Sequence, residues 1–250
     1  MTTPARHGRG AARIALALGA ALACAVFVAL GVWQVERRAW KLALIERVNA
    51  RVHAPAVAAP APAEWPQVAA ATHEYRHVAV SGTFRHDLET RVQAVTELGA
   101  GYWVLTPLQA ADGAVVLVNR GFVPPEQRDR TSRSTSEATG PVSVAGLLRL
   151  TEPGGGFLRQ NDATADRWHS RDVAAIATAR GLHRVAPYFI DADRGDTTGP
   201  GPVGGLTVIA FRNHHAVYAL TWFALALMAA GAAVYTLRTR DHPQENAPRP

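Results

Sequence analysis

Two adjacent histidines, His214 and His215, stand directly before an uncharged apolar run, Ala216–Leu237. On a helix, His215 shares a face with Tyr218, three residues on, and Trp222, seven on. An imidazole above an aromatic face at the edge of an apolar layer suits an amphipathic planar cofactor such as haem. Haem iron takes an axial imidazole, and the macrocycle needs an apolar slot. Its propionates need cations, and Arg212, Arg37 and Arg38 lie at a matching depth. The competing reading is that His, Tyr and Trp are interfacial anchors. At the other apolar run, Trp33, Arg37, Trp40 and Lys41 fall on one helical side with Gln34 adjacent. Gln34 either hydrogen-bonds to the other helix or faces headgroups.

The remaining histidines are poorer candidates. No HExxH occurs, and His73 and His77 lie in a segment that reads as strand, so they share no helix face. Asn119-Arg120-Gly121 ends an apolar strand, where Arg120 is either a structural cap or a substrate-facing cation and Gly121 eases a turn. No GxSxG or other nucleophile constellation is present, and no carboxylate pair can be placed on one face. The expectation is a protein without catalytic residues.

Composition narrows the classes further. The chain has 250 residues, one cysteine (Cys24) and two methionines, which excludes a disulfide scaffold, a zinc ribbon and Cys- or Met-based copper sites. Residues 36–213 carry 20 basic and 18 acidic side chains, a balance that argues against nucleic acid as a partner. Charged residues are 18% of the chain, below the roughly 25% of soluble proteins. The apolar surplus sits in two blocks.

The first block, residues 14–33, is uncharged and contains nine Leu, Ile, Val or Phe. At roughly −0.3 to −0.6 kcal/mol each, these supply about −3 to −5 kcal/mol for insertion. The run is longer than a signal-peptide core and is followed by QVERRAWK rather than a small-residue cleavage site. The second block is long enough to span a bilayer in its own right. Arg6, Arg9 and Arg13 precede the first block, and Arg238 and Arg240 follow the second. The positive-inside rule therefore puts both termini in the cytoplasm and the long intervening segment in the periplasm, beyond the inner (plasma) membrane. The expected organisation is a cytoplasmic tail over 1–13, transmembrane helix 14–35, helix extension and Pro/Ala linker 36–66, periplasmic β-rich domain 67–213, transmembrane helix 214–237 and a disordered cytoplasmic tail 238–250.

Within the domain, strands are expected at 75–84, 88–95, 102–108, 114–121, 142–150, 186–191 and 206–211, with Asp112-Gly113 marking a hairpin turn. One helix is expected at about 171–180, capped by Ser170 and stopped by Gly181. Segments 122–140 and 192–205, the latter holding Arg194-Gly195-Asp196, read as loops. The fold class is thus a membrane protein, two transmembrane α-helices flanking a mainly antiparallel β (α+β) extracytoplasmic domain with one helix. Pattern alone leaves barrel and sandwich closure open.

Six blocks in order carry a resemblance. They are LGVWQVERRAWKLALI (30–45), GYWVLTPL (101–108), DGAVVLVNRGFVP (112–124), FLRQND (157–162) followed by Trp168, PVGGLTVIAF (202–211) and NHHAVYALTWFALA (213–226). Over about residues 28–235 the chain resembles the surfeit locus protein one family, membrane factors for cytochrome c oxidase biogenesis. The resemblance implies a role in delivering haem a to oxidase subunit I, with haem a bound transiently. It places the family's histidine on His215, as the haem-iron ligand, and its Tyr-Ala-x-Thr-Trp on Tyr218, Ala219, Thr221 and Trp222. Here His214 stands where a second Asn is usual, Ala216 where Leu is usual and Phe122 where Trp is common. The extra histidine leaves the ligand open between 214 and 215. The residue reading and the resemblance together give the expected cofactor-binding set: His215, His214, Tyr218, Trp222, Trp33, Gln34, Arg37 and Arg212. The implied partners are oxidase subunit I, haem a synthase and membrane lipid. The alternative is a haem-independent scaffold that stabilises nascent subunit I.

Overall fold

The computed structural model describes residues 5–156, 158–195, 201–207, 209 and 214–238, with backbone alone for 5–10. Two compact units emerge: Met1–Glu46 with Ala210–Pro250, and Arg47–Ile209.

The first unit holds most of helix α1 (Ala5–Val52); the helix that begins at His215 and ends at Arg238 is its other element. Both helices are long and apolar enough to cross a membrane. Their packing inverts that of a soluble protein. Leu16, Leu18, Leu22 and Val26 on α1, and Leu220, Leu227 and Met228 on the partner helix, are exposed, whereas Ala17, Ala219 and Ala226 are buried. Among the less exposed α1 positions, Arg13, Ala17, Ala20, Cys24, Phe27, Gly31 and Gln34 recur at alternating four- and three-residue steps. His215, Ala219, Trp222, Ala226, Ala229, Ala233 and Thr236 do the same on the other helix. A spacing of 3.5 residues keeps one seam facing the partner in a left-handed pair. Small side chains along such a seam let backbones approach, as in helix pairs within lipid.

The second unit is a seven-stranded sheet in the order β1-β2-β6-β7-β5-β4-β3. The strands are β1 (Val57–Ala58), β2 (His77–Phe84), β3 (Thr90–Thr96), β4 (Gly99–Gln109), β5 (Val115–Val123), β6 (Pro141–Leu150) and β7 (Val185–Ala192). Five of the seven neighbouring pairs, the ring-closing contact included, are antiparallel; β1–β2 and β5–β7 are parallel. Thr83 and Phe84 of β2 also pair with Gln109 and Leu108 of β4, so β2-β6-β7-β5-β4 closes on itself as a barrel. Gly82 makes that closure possible: a Cβ there would lie 2.5 Å from the Gln109 carbonyl oxygen. The apolar Val115–Val118 run is central and buried, because successive side chains feed opposite clusters. Val116 packs with Val78, Leu148, Tyr188 and Ile190; Leu117 packs with Leu105, Trp168, Ile176 and Phe189. The Asp112-Gly113 turn is as expected, with the Asp112 carboxylate accepting from Ala114 N–H at 3.0 Å.

Four sequence expectations need correction. The domain holds more than one helix: α2 (Ala70–His73) precedes β2, α3 (Val173–Ala179) follows β6, and short 3-10 turns join the strands. The cap of α3 is Asp172, whose carboxylate accepts from Ala175 N–H at 3.1 Å; Ser170 is occupied by Gly155 N–H and the Asn161 amide instead. The 206–211 strand is absent at its described residues. Val203 pairs with Phe122 beside Gly121 (φ +130°), and Gly204-Gly205 break the extended pattern before Thr207 donates to Asp191. Val208 and residues 210–211 lie outside the described residues, as do Phe157, the 196–200 part of the second loop and the 239–250 part of the tail expected to be disordered. Finally, the Pro/Ala segment is not a free spacer. Trp65, Ala59 and Val68 pack on the barrel, and the Pro60 carbonyl accepts from Tyr188 Oη at 2.9 Å. Burial pushes the Tyr188 phenol up to about 12.

Buried charge ties the strands together. Asp191 accepts from Asn119 at 2.7 Å, from Arg171 at 3.0 Å and from Arg149 at 3.2 Å, and both arginines also reach Glu152. Arg120 is structural: its guanidinium donates to the Ser136 carbonyl at 2.7 Å and lies over the Phe84 ring. Arg133, fully buried, is paired with Glu89.

His73 closes α2, and His77 opens β2. The His77 ring meets the Ala54 carbonyl through Nδ1 at 2.8 Å and Asp193 through Nε2 at 2.7 Å, tying the segment after α1 to β2 and to the segment just beyond β7. Burial opposes protonation of His77, but the carbonyl and the carboxylate outweigh it, and its pKa is raised above 6.5. A raised folded-state pKa stabilises the fold fully below the unfolded value and loses that contribution as pH rises through the folded one. Thermal unfolding should therefore show a His77-dependent gain in stability below about 6.5 that disappears on the alkaline side; a His77→Gln protein whose pH–stability curve superimposes on wild type would refute this.

The seam makes a second prediction. Continuing the register of the helix pair sets native Cys24 opposite Ala226. Mild oxidation of the Ala226→Cys protein should yield an intramolecular disulfide, seen as a mobility shift, whereas Leu227→Cys, on the exposed face, should not.

Candidate functional site

The α4 helix (His215–Arg238) meets α1 through three contacts that define one register. His215 Nδ1 lies 2.7 Å from Gln34 Oε1. One turn deeper, Gly31 leaves room for Phe223; a Cβ on Gly31 would sit 2.6 Å from that ring. A further turn along, Phe27 and Trp222 stack at 5.7 Å between centroids. An interhelical hydrogen bond of this kind is worth about 0.6–2 kcal/mol and an aromatic pair about 0.5–1.5 kcal/mol.

The polar pair sits where both apolar runs end. Gln34 follows residues 14–33, and His215 precedes Ala216–Leu237. Antiparallel packing brings those two ends level, so at this end the largely apolar seam is closed by one amide and one imidazole. Both side chains are half-buried.

The other anticipated residues divide by position. Trp33 and Tyr218 are near this level but exposed, at 53% and 56%. Arg37 lies over the Trp40 ring, 4.0 Å from its centroid, as a cation–π pair on α1. Trp222 belongs to the seam through its Phe27 stack and is not part of an open slot. His214 is exposed, and its carbonyl accepts from Val217 and Tyr218 N–H groups in the first turn of α4. Arg212 lies outside the described residues. The expected slot between the helices is closed by the Phe27–Trp222 stack and the Gly31–Phe223 contact. A planar ligand at this level therefore has the outer flank of the pair available, beside Trp33 and Tyr218, rather than its interior.

The residues missed by sequence reading are Phe27, Gly31 and Phe223, which set how closely the helices approach. For Phe27 and Gly31 the signal was present as the four–three spacing of small and aromatic residues, hidden in runs where nearly every side chain is apolar; Phe223 falls outside that spacing. Among the described residues no group of three or more His, Cys, Asp or Glu is placed to hold a metal ion.

Comparison with known proteins shows the family. The SURF1 family profile matches residues 21–227, which takes in Gln34, the barrel unit and His215. Surfeit locus protein 1 from Homo sapiens is 38% identical over 215 residues, 79% of this chain and 69% of its own length. Surfeit locus protein 1 from Xenopus tropicalis is 36% identical over 213 residues, covering 78% and 67% of the two chains. A SURF1-like protein from Monosiga brevicollis is 35% identical over 224 residues, covering 84% and 82%. With a match that runs from within the first apolar helix, through the sheet, into the second, this chain belongs to the SURF1 family.

Proposed function

We propose that this protein is a non-enzymatic assembly factor for cytochrome c oxidase that holds haem a through His215 on its way to oxidase subunit I. Supporting this is the half-buried imidazole at the common end of two apolar helices, pinned to Gln34 and flanked by exposed Trp33 and Tyr218. The exposed large side chains on both helices favour lipid as their surroundings, since a helix apolar all round needs an apolar neighbourhood. The proposed placement is the inner membrane, with both termini cytoplasmic and the barrel periplasmic. Haem a synthase is the proposed donor.

The residues present fit such a group. Among the described residues, His215 Nε2 has no hydrogen-bond partner, so one ring nitrogen is available to a ligand. Trp33 and Tyr218 offer apolar surface, and Arg37 and Arg38 offer positive charge. When bound, haem a supplies an iron centre that takes an axial imidazole and carries the redox chemistry of the oxidase. The chain's own contribution is to hold the imidazole level with the edge of the apolar layer. His215, and not His214, is the proposed ligand, because its ring alone is fixed by a partner on the facing helix.

The closed seam favours a second reading. With Phe27 on Trp222 and Phe223 against Gly31, the interior of the helix pair is filled by side chains, and a haem-independent scaffold for nascent subunit I needs no slot there. Purification in detergent from cells that make haem a separates the two. Wild type and His214→Ala should retain haem a by visible spectrum and extraction, while His215→Ala should lose most of it. Equal pigment in His215→Ala would leave the scaffold reading standing.

A further inference from the structure

The hydrogen bond from His215 to Gln34 has a chemical polarity. The facing atom of Gln34 is its carbonyl oxygen, Oε1, which can only accept. Nδ1 of His215 must then carry the ring proton. A neutral imidazole has one N–H and one lone pair, so a proton at Nδ1 leaves the lone pair at Nε2. If the Gln34 amide nitrogen faced the ring instead, Nδ1 would accept, Nε2 would be protonated, and neither nitrogen would be free to bind a metal ion.

We propose that Gln34 is a positioning residue that fixes His215 as the Nδ1–H tautomer and so presents Nε2 as the ligating atom. This rests on the haem-carrier reading for its use, though not for its existence in the haem-free protein. The pairing is set by helix packing rather than by a local turn, since the two residues are 181 positions apart. Gly31, one turn along the same seam, lets α1 come close enough for the contact, and the 2.7 Å separation is at the short end for an N–H···O bond. Orientation of a ligating histidine by a hydrogen bond to its other nitrogen is the common way for a protein to fix ring tautomer and raise basicity. Here an uncharged amide does so at the edge of an apolar layer, where a carboxylate would cost more to desolvate.

The test uses the full-length chain in detergent micelles, isotope-labelled at histidine and free of haem, at a pH where the ring is neutral. Imidazole nitrogen NMR should show the His215 proton on Nδ1, with Nε2 as the unprotonated nitrogen. Gln34→Glu, which keeps an acceptor, should preserve that tautomer and bind added haem a within about threefold of wild type. Gln34→Met, close in shape but unable to anchor Nδ1–H, should release the ring to a tautomer mixture. It should also weaken haem a binding by about 10–100-fold, as loss of an orienting partner does. A wild-type ring protonated at Nε2, or an unchanged tautomer in Gln34→Met, would overturn the proposal. Should Gln34→Met fail to fold, the wild-type and Gln34→Glu spectra decide it. Wild-type protein that takes up no haem a would instead overturn the carrier reading, while the nitrogen spectrum would still decide the tautomer.

Discussion

The constraint on which the helix pair depends is register. In an apolar surrounding the hydrophobic effect does not choose how two greasy helices align, so packing and a few polar contacts must do it. Here a seam of Ala, Gly and Cys permits close approach, Phe223 fills the notch at Gly31, and Phe27 stacks on Trp222. One hydrogen bond, His215 to Gln34, terminates the seam. A slip of one residue would carry His215 off the facing side and leave a half-buried amide without a partner, which an apolar setting penalises heavily. The candidate site is thus a by-product of register, and the proposed ligand is only as well placed as the small residues beneath it allow.

The barrel unit reaches order by different means. Its core is bilateral around β5, with Val116 and Leu117 serving opposite clusters, and its ring closes through only two residues of β2. Asp191, with Asn119, Arg149, Arg171 and Thr207, spans β5, β6, β7 and the segment beyond. Such a buried network adds little net stability over apolar packing, but removing one partner strands the others. It also fixes the path of the 201–207 segment, which crosses Phe122 instead of forming a strand. The Pro/Ala segment after α1 docks on the same unit through Trp65 and Pro60.

The SURF1 family match and the site geometry bear on different questions. The match runs from within the first apolar helix, through the barrel, into the second, and so supports a shared architecture. The geometry separates two neighbouring side chains. His214 and His215 are adjacent and chemically identical in the sequence, yet one is exposed at the surface and the other is held across the helix pair. That distinction, and not the presence of histidine, makes His215 the better candidate.

Much of this protein was legible in its sequence because the relevant signals are local. Two uncharged runs show apolar helices by length, the Val115–Val118 run shows a central strand, and Asp112-Gly113 shows a hairpin, each from a few consecutive residues. Six of the seven expected strands overlap an observed one for the same reason. What the sequence left open was pairing at a distance. Whether Gln34 reaches a helix 181 residues away, whether β2 returns to β4, and whether the Pro/Ala segment floats or docks depend on register between elements. Hydropathy is blind to it where every position is apolar or every strand alternates alike. Only tertiary packing, through the volumes of Gly31, Gly82 and the alanines of the seam, decided those, because close approach is a property of facing surfaces and not of either segment alone.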